Sequence, residues 1–467
     1  MEISFVGALI VLGLLLVGRL GKMGLLGILP ISTLFSSTAV VSMGFLGGAP
    51  LLVQTVIAGI VIVYYGLDAL RRIERGGSRV QIALIAAFLA YGILSAFLFP
   101  RMFEGATSVF SLSRSFDVFF APIPLQPSSG NFSQLCYFVL DLCLLTVLSA
   151  RIDEVSIGQL DRGFEYASRF LALIVLIELP MRYSGFGDPF FFLRTANYEL
   201  LTDIEIGSFK RLTGFATESS SFGSQCAIFL AYAYIKYNSA PKSLMRLMTL
   251  VVLTIGLVAA TSSAGYVTFG FMFGLAVLRS AYGSFRQRIQ PSEVYFFVLV
   301  SLGVICVGLM YLAEYDFSAL NSLLDTLIFN KANTSSGIER GSWNTQAIRN
   351  FVETYGFGIG VGSSRASSFF LALLSNTGVI GTALFCMLVL ELFAHYHLSS
   401  NRLNAVRFSI LVCVFSISLM GTVVDAGVLF YTLLGLGLAE VTRLRKEYAR
   451  MRLRYQAAPP GEPLPRG

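Results

Sequence analysis

Two stretches of this chain gather the side chains that could handle a charged substrate. The first is Arg211-Leu-Thr-Gly214-Phe215-Ala-Thr-Glu218-Ser219-Ser220-Ser221-Phe222-Gly223, a polar approach to an otherwise apolar segment. Its four consecutive carboxylate or hydroxyl side chains are costly to bury unless they face a wet cavity. Glu218 would lie in the first turn of the helix that follows, where a carboxylate either serves as a base or simply caps the positive helix end. The second stretch starts at Arg349 and Glu353 and runs through Gly356, Gly358, Gly360, Gly362, Ser363 and Ser364 to Arg365. Alternating glycines make a poor helix, and they let backbone approach a ligand closely or present amides to an anion. The spacing is not a dinucleotide fingerprint, because no strand precedes it and an apolar segment follows. Glu353 is also placed for an ordinary pair with Arg349, four residues earlier.

The elements that must position these residues are membrane spans. Of the 467 residues, 55% are apolar and 13% charged, with 40 phenylalanines and a mean hydropathy of +0.73. A soluble domain carries about 25% charged residues, so a soluble enzyme is excluded. Apolar runs recur at roughly 3–18, 24–47, 50–70, 80–100, 133–150, 166–183, 217–235, 247–262, 264–280, 294–314, 366–394, 407–422 and 426–442. Runs of that length, rich in Leu, Ala and Gly and without ten-residue alternation, predict an all-α polytopic bundle of about 13 spans and not a β-barrel. The first run lacks a basic leader region and is followed by further spans, so it is expected to stay as a span and not be cleaved. The cysteines, Cys136, Cys143, Cys226, Cys306, Cys386 and Cys413, all lie in apolar runs without a paired motif and read as core residues, with no disulfide or zinc site.

Orientation follows from the short connections. Arg71, Arg72, Arg75 and Arg79, then Lys236, Lys242 and Arg246, then Arg279, Arg286 and Arg288, and finally the Arg443–Arg454 series fall on one side, which is assigned to the cytoplasm. The other side receives three long segments, about 101–132, 182–216 and 315–365. One domain, 1–455, is expected, followed by a disordered Pro-rich cytoplasmic tail, 456–467. In the third segment Ser336-Gly-Ile-Glu339 reads as a capping box, with Trp343, Ala347, Ile348, Phe351 and Tyr355 at helical spacing behind it, predicting an amphipathic outer-face helix. The long segments hold Arg101, Arg114, Arg182, Arg194, Lys210, Arg211, Lys331, Arg340, Arg349 and Arg365, against the positive-inside bias. Each could snorkel to the headgroups, whereas several converging guanidinium forks suit a phosphate. Arg340 and Arg349, nine residues apart, lie about 180° apart on one continuous helix and share a face only if it breaks near Gly341. Asp203 and Glu205 faintly resemble a metal pair, and Asp141 is mid-membrane with no partner readable from sequence.

These residues carry a family resemblance. Arg211, Gly214, Phe215 and Glu218 resemble the R-x-x-G-aromatic-x-x-E approach to a span in the bacterial O-antigen polymerase and O-antigen ligase superfamily, with Ser219 where a proline is often found. Arg349 to Gly360 is similar to the R-x10-G pattern of polymerase outer loops. Gly358, Gly360, Gly362 and Ser363, with Gly378 and Gly381, resemble the family's glycine run into the next span. The first loop departs by one residue, at R-x11-G from Arg211 to Gly223.

The resemblance implies a GT-C-like glycosyltransferase without cofactor or metal in the bacterial cytoplasmic membrane, its active site facing the periplasm. It would join oligosaccharide repeat units carried on undecaprenyl pyrophosphate into O-antigen or exopolysaccharide. Donor and acceptor lipids and the bilayer are its implied partners, with a chain-length regulator and a flippase as companions and no nucleic acid. Arg211, Glu218, Arg349 and Glu353 are the catalytic candidates. Arg340, Arg365, Gly358, Gly360, Gly362 and Ser363 are candidates for holding pyrophosphate or glycan, and Glu339 is a further possible base. Ligases of the family use an outer-face histidine; His395 and His397 fall on the cytoplasmic side and Ser367 or Ser368 occupies the corresponding place, which favours polymerase over ligase. The rival class is a lipid-linked oligosaccharide flippase or another transporter, which tends to show internal repeats and polar residues near the midplane.

Overall fold

The computed structural model describes residues 2–21, 23–43, 49–74, 78–110, 122–151, 153–196, 210–238, 243–285 and 333–457, with isolated positions 294 and 298. The described residues form helices α1 Phe5–Leu20, α2 Gly24–Ser32, α3 Val53–Glu74, α4 Arg79–Met102, α5 Ser129–Ser149, α6 Glu154–Tyr183, α7 Ser219–Tyr237, α8 Leu244–Ala259, α9 Ser263–Phe285, α10 Ser335–Glu353, α11 Phe369–Ala394, α12 Asn401–Met420 and α13 Gly427–Ala457. Seven of them, α3, α4, α5, α9, α11, α12 and α13, contain stretches long and apolar enough to cross a membrane, and α1 and α8 are shorter apolar helices. This is a helical membrane protein. The expected span at 294–314 apart from positions 294 and 298, the pair Asp203 and Glu205, and the tail beyond 457 lie outside the described residues.

Ion pairs tie one end of the bundle together. Arg72 reaches Asp68 at 2.8 Å and Asp153 at 3.0 Å, and Arg151 reaches Asp68 at 2.9 Å. Lys236 pairs with Asp161 at 2.9 Å, Arg246 with Glu165 at 3.1 Å, and Arg402 with Glu154 at 2.9 Å. The short connections α3–α4, α5–α6, α7–α8 and α11–α12 therefore sit together at what we call the joint end. The described parts of the long segments lie at the opposite, loop end. Helix α6 begins twelve residues before the expected span because Asp161 and Glu165, which read as loop in a hydropathy count, are neutralised by these partners. At the centre, α7 packs against α6, α8, α9 and α12 and is buried on nearly every face, as a helix apolar all round should be.

The expected span at 24–47 is not one helix. Helix α2 stops after nine residues, and the chain turns irregularly into strand β2, Ala39–Met43, which pairs with β1, Glu2–Ile3, and β3, Ala49–Leu52. Ser32 and Thr33 hydroxyls donate to the Leu29 and Pro30 carbonyls at 2.7 Å each, using up the last turn's acceptors. Such backbone is tolerated at membrane depth only when enclosed by protein, and residues 26–35 are all buried. A second small sheet pairs β4, Ser108–Val109, with β5, Ile123–Pro124.

Helix α10 is the expected loop-end helix, but its cap is Thr334, whose hydroxyl accepts from Gly337 N at 3.2 Å, and not Ser336. It runs without a break at Gly341. Helix α11 is interrupted instead: Gly378 has φ 62° and ψ −163°, and a side chain there would meet the Gly356 and Phe357 carbonyl oxygens at 2.3 Å.

Candidate anion site at the loop end of the bundle

The segment 211–218 is held by a cradle of buried charge. Glu178, near the end of α6, is fully buried. Its two oxygens accept the backbone N–H groups of Thr213 at 3.0 Å and Gly214 at 2.8 Å. Arg182, one turn along, donates through Nε to Glu178 Oε1 at 2.8 Å and through Nη2 to Thr213 Oγ1 at 2.8 Å. Arg194 donates to the Ala216 carbonyl at 3.0 Å, to Thr213 Oγ1 at 2.8 Å and to the Gly214 carbonyl. Asp188 pairs with both arginines, with Arg182 at 3.1 Å. Gly214 has φ 54°, a left-handed conformation, and the Phe222 ring lies 2.3 Å from where its side chain would begin. Phe215 stacks on Phe35 with centroids 4.9 Å apart, and its carbonyl accepts Ser37 Oγ at 2.6 Å. The sequence counted Arg182 and Arg194 among possible anion ligands; here both are committed to the protein. The i,i+4 spacing of Glu178 and Arg182 at a span's end was the signal for that.

What the cradle presents is Arg211 and Glu218. Glu218 is the N-cap residue of α7, with its side chain turned away from the helix's own amides; it accepts from Ser220 Oγ and faces Arg340 of α10 at 3.9 Å. Burial holds the Arg211 guanidinium below the ordinary arginine range, with Glu218 attracting it and Arg340 repelling it. Arg211 Nε is buried and has no hydrogen-bond partner among the described residues, and neither has Ser219 Oγ. Arg365 completes the group: its guanidinium lies 5.2 Å over the Trp343 ring, its backbone N–H donates to the Phe110 carbonyl at 3.1 Å, and burial lowers it while Glu339 attracts it. Trp343 is one turn along α10 from Arg340, so a single helix face carries Glu339, Arg340 and Trp343 to the site. Two guanidinium groups, those of Arg211 and Arg340, thus face Glu218 beside the N-terminus of α7, an arrangement that suits a further anionic partner, and Arg365 lies along the same α10 face with Trp343 and Glu339.

Other candidates are not brought there. With α10 unbroken, Arg349 points to the exposed side between the exposed Ile348 and Val352, and Glu353 is exposed on the same side. No ion pair joins Arg349 to Glu353 among the described residues. The glycine run does not present its amides to a ligand. Gly358 N–H donates to Thr354 Oγ1 at 3.1 Å, Ile359 N–H to the Ser375 carbonyl at 2.9 Å and Gly360 N–H to the Asn376 carbonyl at 2.8 Å. The Ser363 and Ser364 amides donate to Asn376 Oδ1 at 3.1 and 3.3 Å. Gly356, Gly358, Gly360 and Gly362 all have positive φ, and the last three press on protein backbone or Pro100. Ser363 Oγ donates to the Ile359 carbonyl and receives Asn131 Nδ2, both at 2.8 Å. These residues form a buried strap between α4, α5 and α11 that sets the position of Arg365. His395 and His397 lie at the joint end, where Arg407 donates to the His395 carbonyl, and away from Arg211, Arg340 and Arg365.

The chain matches no family model, no curated protein and no solved structure.

Proposed function

We propose that the chain is a lipid-linked glycan polymerase of the cytoplasmic membrane, with the loop end facing the periplasm and Arg211, Arg340 and Arg365 receiving the diphosphate of a polyprenyl-pyrophosphate-linked oligosaccharide. The observation that carries this reading is the buried Nε of Arg211, without a hydrogen-bond partner among the described residues, beside Glu218 and Arg340. A guanidinium left with an unused donor in a desolvated place costs stability unless a ligand completes it. The motif resemblance of Arg211 through Glu218 supplies the chemical class. In the reaction an acceptor sugar hydroxyl attacks the donor's anomeric carbon, the bond from that carbon to the diphosphate oxygen breaks, and the lipid diphosphate leaves with the bonding pair. Glu218 is placed to take the hydroxyl proton, and the arginines offset the charge that grows on the leaving group.

The test is polymer formation by the purified protein in lipid nanodiscs from a synthetic polyprenyl-pyrophosphate repeat unit. Arg211→Ala, Arg211→Lys and Arg340→Ala should each remove the ladder, because a lysine cannot reproduce a two-point phosphate contact. Arg349→Ala should keep most of it. A full ladder from Arg211→Lys would reduce Arg211 to a headgroup anchor and end this assignment. Deleting the chain in cells separates the related activities: single repeat units on lipid A indicate a polymerase, and polymer left on polyprenyl pyrophosphate indicates a ligase. The interrupted α11 and the short α2 are features that carriers also use, so flipping of the same lipid without polymer is the competing outcome.

A further inference from the structure

Asp141 and Asp425 meet inside the bundle, and neither is used by the site above. Asp141 lies in the middle of α5, 2% exposed, and its Oδ2 receives no hydrogen bond from any donor among the described residues. Asp425 lies in the turn between α12 and α13, where its Oδ1 accepts the Gly427 N–H at 3.0 Å. The two carboxyl groups are within hydrogen-bonding reach of each other, and no Lys, Arg or His acts on either among the described residues. Tyr431, one turn into α13, adds a fully buried hydroxyl with no partner that feels both carboxyls. With Asp141 buried and Asp425 half-buried, two ionised carboxylates in contact and without a cation among the described residues repel strongly, which favours one proton between them.

We propose that Asp141 and Asp425 hold one proton between their carboxyl groups, with Tyr431 as the neighbouring donor, forming a buried proton site that latches the α12–α13 turn to α5. The shared proton gives Asp141 Oδ2 the partner it otherwise lacks. Burial pushes the Asp425 carboxyl above the usual carboxylate range, in the direction the site requires. The turn is coupled to the arginine site, because the Thr422 carbonyl accepts the N–H of Ala366, next to Arg365, at 3.3 Å. Losing the proton would charge both carboxyls, push the turn off α5 and loosen the segment that carries Arg365. The proton site is independent of what the arginines bind, and its test uses no glycan.

The measurement is infrared spectroscopy of the purified protein in nanodiscs, together with thermal unfolding across pH. At neutral pH the wild type should show the carbonyl band of a protonated carboxyl, and Asp141→Asn and Asp425→Asn should each lose it. The folded pair holds a proton that unfolded aspartates release, so wild-type stability should fall as pH rises from the ordinary aspartate pKa of about 4 through the raised value of the folded pair, whereas in Asp141→Asn that slope should flatten. Should an Asn variant not fold, Asp141→Glu keeps a carboxyl and should shift the band without losing it. Absence of the band in the wild type, or the same pH slope in the wild type and Asp141→Asn, would overturn the proposal. Stabilisation by sodium over choline that the Asn variants abolish would also overturn it, by putting a metal cation where we place the proton.

Discussion

Glu178 is fully buried and Arg211 is half-buried with its Nε enclosed, and they differ in whether the protein satisfies them. Every polar atom of the Glu178 carboxylate is engaged, by two backbone amides and Arg182. Glu178→Gln keeps the volume but replaces one acceptor oxygen with an NH2 group, which would face an N–H of Thr213 or Gly214 donor to donor. It also takes the Glu178 charge away from Arg182. Breaking a buried pair of this kind costs about 3–5 kcal/mol, so Glu178→Gln should lower both membrane abundance and the thermal midpoint. Arg211→Ala removes an unpartnered buried donor, and its midpoint should equal or exceed the wild type's. A Glu178→Gln protein as stable as the wild type would show that the cradle does not hold the segment. The sequence displayed Arg211, Gly214 and Glu218 as a group because their spacing is local. It could not show that Arg194 belongs to the scaffold, because its partners Thr213, Gly214 and Ala216 lie on a different part of the chain and look no different from solvent-facing residues in the string.

At the scale of elements, the alternating glycines were legible as non-helical backbone, and what they approach was not. Gly360 has φ 96°, and a methyl group there would lie 2.6 Å from Pro100 Cδ and 2.7 Å from the Ser95 carbonyl oxygen. Those neighbours belong to α4, some 260 residues earlier, so no local pattern announces them. Overpacking of this kind costs about 1–3 kcal/mol, and the left-handed conformation adds to it. Gly360→Ala should therefore reduce folded protein in the membrane, with activity per folded molecule less affected. Gly59→Ala, on α3 with nothing within 4 Å of the added carbon, should be neutral or slightly stabilising. A tagged protein followed by size-exclusion fluorescence distinguishes the two, and equal yields at both positions would mean the strap is loose enough to reopen the question of ligand contact. Similar reasoning explains α2. An apolar run of helical length predicts a span, but where a segment is enclosed by its own protein the lipid rule no longer requires an unbroken helix, and Ser32 and Thr33 end it. The outward position of Arg349 likewise follows from α10 staying continuous past Gly341, a matter its cap and packing decide and its composition does not.

For the whole molecule, the two ends differ in how their charge is arranged. At the joint end, two arginines are held in a dense carboxylate network: Arg402 reaches Glu154, Asp161 and Glu440, while Arg443 reaches Glu154, Glu440 and Glu447. Glu440 is fully buried within that network, which binds α6, α12 and α13 into one base. Among the described residues at the loop end, Arg211 and Arg340 outnumber the Glu218 they face, and the excess lies where cations are disfavoured if that end is outside the cell membrane. The polymerase reading needs that orientation, since lipid-linked repeat units are joined there. It can be measured without substrate. In a background lacking all six native cysteines, Asn333→Cys at the loop end should react with a membrane-impermeant maleimide in intact spheroplasts. Asn401→Cys, exposed at the joint end, should react only after the membrane is opened. Labelling of Asn401→Cys alone in intact cells would turn the bundle over and place the arginines in the cytoplasm, where soluble nucleotides and phosphates compete for them. In that case the surplus of positive charge would be ordinary positive-inside bias, and the case for a lipid diphosphate would rest on Arg211 Nε by itself.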